Sequence, residues 1–169
     1  MRKEIVKKLQ GLMARRKLDA VVTSSPENFG YLTGFVVPTQ ALIRHRHAMA
    51  ILTADGAESL FGVDMEASTI AGRAPGTPLT VWREFHDDPM EVLAAALSAG
   101  GLSRASIGLE MDYLPAGDFA RLQTLMPTAR FVGVEKEIAR LRQIKTPEEI
   151  ELIHKRLAEA ERDYRRRQN

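Results

Sequence analysis

Residues 138–153 read IARLRQIKTPEEIELI and mark the passage from a finished domain into a helix that leads away from it. Thr146 can cap the free N–H groups of a first helical turn, and Pro147 suits the first helical position, where its missing N–H costs nothing. Glu149 lies where a capping-box carboxylate reaches back to the cap residue. The sequence therefore predicts a helix that begins at about Pro147 and runs toward the C-terminus.

The length and composition fit one globular domain followed by a connector. The chain has 169 residues, of which 44% are hydrophobic, and this suffices for one domain with a core but not for two of ordinary size. We assign residues 1–133 to an α/β domain and residues 134–169 to connector helices. Because no further folding unit follows this helix in the sequence, we expect the connector to lead toward a further domain that the sequence does not contain.

Charge and cysteine content exclude several classes of protein. The formal net charge is only +2, and no aromatic and basic residues interleave, so we expect no nucleic-acid binding. The chain has no cysteine, which excludes a disulfide scaffold and a thiolate metal site and is compatible with the cytoplasm, where we expect the protein. Charges interrupt the apolar residues of the N-terminus, and no run of about 18 apolar residues exists, so we expect neither a signal peptide nor a membrane span.

The first thirty-four residues predict a helix, a strand and a second helix. Residues 18–23 are a short apolar run that is typical of a buried strand. Ser25 and Pro26 form a cap and a first helical position, and the helix they start ends near Gly34. The first helix presents an apolar face at helical spacing, made of Ile5, Leu9, Leu12 and Met13.

The remainder of the domain predicts a sheet with helices on its faces. Residues 35–46 have no periodicity and are interpreted as a loop, whereas Asp55-Gly56 is a strong signal for an antiparallel hairpin between the apolar runs on either side. Further strands are predicted at residues 79–83, 105–109 and 129–132, and further helices at residues 64–70, 89–99 and 115–126. The second of these helices begins with Asp88 and Pro89, which repeat the cap and the first helical position. The predicted fold class is therefore α/β, a mixed β-sheet with one antiparallel hairpin, flanked by helices.

Three stretches of the sequence follow one another as they do in a known family. They are residues 18–35, LDAVVTSSPENFGYLTGF; residues 107–110, IGLE; and residues 138–153. Together they resemble the N-terminal domain of the creatinase/prolidase (pita-bread) superfamily, which includes Xaa-Pro aminopeptidases, Xaa-Pro dipeptidases and creatinase. The resemblance covers essentially the whole chain.

The resemblance implies a non-catalytic domain of a hydrolase that forms a homodimer and shapes access to the substrate. In the family a catalytic domain follows in cis and holds a pair of divalent metals, often manganese, although creatinase works without metal. We expect no cofactor, catalytic residue or metal site in this chain and no hydrolysis by the chain alone. The parent is expected to be a metal-dependent Xaa-Pro aminopeptidase or dipeptidase. Two alternatives stay open: a creatinase-like parent (a creatine amidinohydrolase), or a stand-alone interaction module.

The resemblance also implies a role in trans for the loop at residues 35–46. In the family this domain often lies against the catalytic pocket of the neighbouring subunit and can lend it side chains. Phe35, Arg44, His45 and Arg46 are therefore the candidate substrate-binding residues. An arginine suits a substrate carboxylate because its guanidinium can donate two parallel hydrogen bonds.

A metal site at the same loop is a weaker alternative. If the following strand has already begun, His45 and His47 point to one face and could share a transition metal. The site needs a further ligand, which His86-Asp87-Asp88 could supply if the fold brought it near. A basic loop end that faces solvent or a partner needs no such ligand and is the preferred interpretation.

Overall fold

The structure, a computed structural model, describes residues 1–168. Asn169, the last residue of the predicted connector, lies outside the described residues. The chain divides into two compact units, residues 1–138 and residues 139–169. The proposed assignment of residues 1–133 and 134–169 to a domain and a connector stays a prediction.

Six strands of the first unit form one sheet. They are β1 (Ala20–Thr23), β2 (Met49–Thr53), β3 (Glu58–Val63), β4 (Leu79–Trp82), β5 (Ser106–Leu109) and β6 (Arg130–Gly133). The helices of the chain are α1 (Lys3–Arg16), α2 (Pro26–Thr33), α3 (Pro38–Leu42), α4 (Ala67–Arg73), α5 (Pro89–Ala99), α6 (Ala116–Leu125), α7 (Glu135–Gln143) and α8 (Pro147–Gln168), with a 3-10 turn at Asp64–Glu66. The spatial order of the strands is β4-β3-β2-β1-β5-β6.

The sheet is mixed, and β2 is the strand that runs against the others. It pairs antiparallel with both β1 and β3, whereas the pairs β1–β5, β5–β6 and β3–β4 are parallel. The β2–β3 connection is the predicted hairpin, and Gly56 there has a φ of 93°, which favours glycine. The predicted fold class is confirmed. Five strands consequently end at one edge of the sheet, where β2 begins, and we call this the carboxyl edge.

Helices cover both faces of the sheet. On one face α5 and α6 pack over a core from alternate strand positions, including Val22, Ile51, Phe61 and Ile107. On the other face α1 and α2 contact β1, and α4 contacts β3 and β4. The predicted apolar face of α1 is confirmed, since Ile5, Leu9, Leu12 and Met13 are its buried residues.

A glycine in β3 permits the close approach of α4. A Cβ atom at Gly62 would lie 2.4 Å from Cδ1 of Ile70, a side chain of α4 that is fully buried. Real Cβ atoms do not come that close to another heavy atom, so a side chain at this position requires the buried Ile70 side chain to move.

The predicted helix starts are confirmed at three caps. The Ser25 hydroxyl accepts a hydrogen bond from Asn28 N, and the Asp88 carboxylate accepts from Met90 N and Glu91 N. At the start of α8, Thr146 and Glu149 form a reciprocal capping box: Glu149 N donates to Thr146 Oγ1 and Thr146 N donates to Glu149 Oε2, at 3.2 and 2.9 Å.

The prediction of a plain loop at residues 35–46 was wrong in part, because Pro38–Leu42 form α3. This helix has five residues and no side-chain cap, so it is too short to show a period in the sequence. The following strand also begins later than its apolar run suggests, at Met49, because residues 44–46 form a turn. Among the helices of residues 1–168, none is long and apolar enough to cross a membrane.

Candidate functional site

Residues 35–48, which we call the crossing segment, lie across the carboxyl edge. The contacts run from Gln40 to Ser24 after β1, from Thr39 to Glu66 after β3, from Arg46 to Glu84 after β4 and from Arg44 to Tyr113 after β5. Ligands of open α/β sheets bind at the carboxyl ends of the strands. The crossing segment is therefore the candidate functional site, and it contains the four residues predicted from the sequence.

The buried side chain of Gln40 bonds the crossing segment to the sheet. Its side chain is 1% exposed, and Nε2 donates to the carbonyls of Ser24 and Ala48 at 2.6 and 2.7 Å. These bonds tie α3 to the end of β1 and to the residue just before β2. A buried amide with both N–H groups bonded holds one geometry, so the path of the segment is fixed at this point.

Arg44 is the cation that the crossing segment presents to solvent. Nε donates to the carbonyl of Tyr113 at 3.0 Å, and Nη2 donates to the carbonyls of Asp112 and Tyr113. The guanidinium carbon lies 4.9 Å from the centre of the Tyr113 ring, a cation–π contact. Within residues 1–168 these partners are carbonyls and a ring, not carboxylates, so the exposed guanidinium keeps its charge available for an anion.

The other predicted residues have different environments. Arg46 forms an ion pair with Glu84 at 2.8 Å, and both side chains are mostly buried, so its charge is compensated. His45 is exposed next to Arg44. Phe35 packs edge-to-face on Phe29 of α2, with ring centres 5.3 Å apart. The structure thus places Arg44, His45 and Arg46 together in one turn and Phe35 at the start of the segment, and their role in substrate binding stays a prediction.

His47 is buried rather than paired with His45. Its ring is 1% exposed, and Nε2 lies 2.8 Å from Oδ2 of Asp118 in α6. Burial lowers the pKa of His47 below its ordinary value of 6.5, which outweighs the opposing effect of Asp118. Nδ1 is buried and has no hydrogen-bond partner in the described part of the chain.

The environments of His45 and His47 give no support to the alternative of a shared metal, since His45 is exposed and His47 is bonded to Asp118. The strand has not begun at these residues, so the two rings do not share a face. The expected further ligands are also engaged elsewhere: Asp87 binds Arg83, and Asp88 caps α5 and pairs with Arg121. Across residues 1–168, no three His, Asp or Glu side chains are grouped so that they could hold a metal ion.

Glu110 is a carboxylate at the carboxyl edge whose role was not predicted from the sequence. It follows β5 and is 1% exposed, and it accepts hydrogen bonds from Ser24 N, Ser25 N, Ser25 Oγ and Asn28 Nδ2 at 2.5, 2.9, 2.6 and 2.5 Å. The charge lies at the N-terminus of α2, where the helix dipole favours an anion. Glu110 thereby joins β5 to the β1–α2 turn whose Ser24 carbonyl holds Gln40. An acidic residue directly after a buried apolar strand was the available signal.

Comparison with known proteins shows which family this chain matches and how much of each relative it covers. Residues 5–144 match the model of the Creatinase/Prolidase N-terminal domain. The ectoine hydrolase of Halomonas elongata is 29% identical over an alignment length of 163, and the match covers 86% of this chain and 38% of that protein. The creatinase of a Bacillus species is 23% identical over an alignment length of 148, and that match covers 86% of this chain and 34% of that protein. The chain thus spans between a third and two fifths of the length of these relatives.

Among solved structures, a proline dipeptidase from Streptococcus pneumoniae superposes with a TM-score of 0.69. Its sequence is 26% identical, and the match covers 83% of this chain and 98% of that chain. The shared architecture is the mixed sheet with helices on both faces described above.

Proposed function

The chain belongs to the creatinase/prolidase N-terminal domain family, and from this premise we propose that it is the non-catalytic N-terminal domain of a longer hydrolase. The relatives include hydrolases that are longer than this chain, and the matched region is less than half of each of them. The proposal assigns catalysis to a C-terminal domain in cis and assigns to this chain contacts within a cytoplasmic homodimer and the shaping of substrate access. The proposed parent is an Xaa-Pro aminopeptidase or dipeptidase.

The resemblance implies a pair of divalent metals, and the residues of this chain do not fit such a pair. A bridged metal pair needs several carboxylates and an imidazole that converge on one open pocket. Within the described residues no group of three such side chains exists, and the buried His47 is bonded to Asp118. We therefore assign no catalytic step to this chain and propose that the metals belong to the C-terminal domain.

The exposed Arg44 is the observation that carries the proposed role in substrate access. Its Nε and Nη2 donate to backbone carbonyls and its guanidinium carbon lies over the Tyr113 ring, so the side chain is already ordered before any ligand binds. Nη1 takes no part in these bonds and can donate to an anion. An Xaa-Pro dipeptide ends in a carboxylate, and an ordered guanidinium binds it with little loss of side-chain entropy. We propose that Arg44, with His45, Arg46 and Phe35 beside it, lines a substrate site of the neighbouring subunit.

Kinetics of the longer protein test this role. Arg44→Ala is expected to raise KM for an Xaa-Pro dipeptide about tenfold, the effect of losing about 1.4 kcal/mol of binding, with little change in kcat. Arg104→Ala is the matched control, because Arg104 is an exposed arginine just before β5, at the opposite edge of the sheet. An unchanged KM in both Arg44→Ala and Arg46→Ala would exclude the proposed substrate site.

A second candidate function concerns the substrate of the parent. The 29% identity to an ectoine hydrolase and the match to a creatinase favour a parent that hydrolyses a small non-peptide substrate. Assays of the longer protein with an Xaa-Pro dipeptide, ectoine and creatine separate the two candidates. Hydrolysis of ectoine or creatine without cleavage of the dipeptide would replace the peptidase proposal by this one.

A further inference from the structure

We propose that His47 and Asp118 form a pH-sensitive latch that holds the crossing segment over the carboxyl edge at neutral pH and releases it on acidification. His47 acts in this proposal as a positioning residue. The latch itself concerns the fold, whereas its consequence for substrate binding through Arg44 rests on the function proposed above.

His47 is the point at which the crossing segment joins the sheet. Its ring reaches Asp118 of α6 through Nε2, and its own carbonyl accepts a hydrogen bond from Nε1 of Trp82 in β4 at 3.1 Å. The carbonyl of the next residue, Ala48, accepts from Gln40. Three elements of the fold, α6, β4 and α3, therefore meet at two consecutive residues. The ring of His47 makes the contact with α6, and the backbone carbonyls of His47 and Ala48 make the other two.

The hydrogen-bond geometry distinguishes the two charge states of the ring. An ionised Asp118 can only accept, so Nε2 of His47 carries the hydrogen, and Nδ1 of the neutral ring is a bare lone pair. Protonation adds an N–H at Nδ1, which is buried and has no acceptor in the described part of the chain. An unsatisfied buried donor is costly, so the charged ring favours a position in which Nδ1 reaches water.

Burial is the largest influence on the charge of the His47 ring, and it disfavours the charged form. Asp118, on α6, opposes burial by favouring the charged ring, whereas His45 and Arg44, on the crossing segment itself, disfavour it. Because burial prevails, the pKa of His47 in the closed state lies below 6.5. In an open, solvated state the pKa returns toward that ordinary value, so protons bind the open state more tightly and a fall in pH favours opening.

Opening of the latch frees the turn that carries Arg44. The contacts of Arg44 with Asp112 and Tyr113 join the turn to the loop that leads into α6, the helix of Asp118. A released turn no longer presents Arg44 in a single ordered position. If Arg44 binds substrate as proposed, acidification weakens that binding before it affects the remainder of the fold.

Amide hydrogen exchange of the 169-residue chain tests the latch without any substrate. Protection of residues 35–48, corrected for intrinsic exchange rates, is expected to fall at least about threefold between about pH 7.5 and pH 5.5, and by no more than about tenfold per pH unit because one proton is coupled. His47→Gln keeps a neutral N–H toward Asp118 at every pH, so its corrected protection is expected to stay constant. His154→Gln, which alters an exposed histidine of α8, is expected to behave like wild type.

NMR titration of the wild-type His47 ring provides a measurement that does not depend on the folding of a variant. Its midpoint is expected below pH 6.5, in the range where protection is lost, and Asp118→Asn is expected to lower it further because the carboxylate that favours the charged ring is gone. Corrected protection that is independent of pH in the wild type, or an unaltered loss of protection in His47→Gln, would overturn the latch. A latch that behaves as expected while Arg44→Ala leaves KM unchanged would reject only the proposed substrate site.

Discussion

The side chain of Asn28 donates a hydrogen bond of 2.5 Å to the carboxylate of Glu110, although the two residues are 82 positions apart in the chain. Ser25 binds the same carboxylate through both its N–H and its hydroxyl. Two stretches of sequence that the family resemblance brings together, residues 18–35 and 107–110, are thus joined physically by one buried anion. The Glu110 contacts fix the start of α2 relative to β5. They also fix the position of Ser24, whose carbonyl accepts the hydrogen bond of Gln40 in the crossing segment.

Glu110→Gln is expected to destabilise the domain by about 2–4 kcal/mol. The new amide group faces hydrogen-bond donors with its own N–H groups, and its one oxygen cannot accept all four hydrogen bonds. The free energy of unfolding in urea measures this. Glu151→Gln, an exposed change of the same chemistry in α8, is expected to have an effect within about 0.5 kcal/mol. An equally small effect of Glu110→Gln would show that the hydrogen bonds of the buried carboxylate do not stabilise the domain.

Gly62→Ala is expected to destabilise the domain by about 1–3 kcal/mol, since the added methyl group overlaps Cδ1 of the fully buried Ile70. Gly72→Ala is the matched control within α4, because nothing lies within 4 Å of a Cβ at that position. There the substitution is expected to stabilise the helix by about 0.5–1 kcal/mol. Urea unfolding of the two variants gives both values, and equal effects would contradict the proposed close approach of α4.

Local signals in the sequence predicted most of the fold. The apolar face of α1 was read from spacing alone, and the caps at Ser25, Asp88 and Thr146 predicted where helices begin. These features depend on residues within a few positions of one another. The Asp55-Gly56 hairpin belongs to the same class, since its turn sets the pairing of β2 with β3.

The site was predictable only as a stretch of chain. The sequence singled out Arg44, His45 and Arg46, but not the partners that decide their charge and exposure. Tyr113 and Glu84 lie 69 and 38 positions away, and Asp118 lies 71 positions from His47. Spacing along the chain carries no information about such pairs, because they form only when the ends of different strands meet at the carboxyl edge.

The lowered pKa of His47 predicts a pH dependence of global stability. A histidine whose pKa is lower in the folded than in the unfolded state contributes stability above about pH 6.5, and that contribution is lost as the pH falls toward the lowered value. The urea midpoint of the wild type is therefore expected to fall between about pH 7.5 and pH 5.5 by more than that of His47→Gln. Parallel pH profiles of the two proteins would contradict the assignment of a buried neutral imidazole.

The exposed apolar residues of α8 provide a test that separates a connector, whose apolar residues a following domain would cover, from a stand-alone interaction module. Ile150, Ile153 and Leu157 are 47, 51 and 61% exposed and follow i, i+3, i+7 spacing, so they form one stripe along the helix. Such a stripe is expected to drive self-association of the 169-residue chain at about 100 µM, which sedimentation measures. Leu157→Glu is expected to abolish association by placing a charge in the stripe. Lys155→Glu introduces the same residue away from the stripe and is expected to leave association unchanged. A chain that stays monomeric would contradict the connector and favour the stand-alone interaction module.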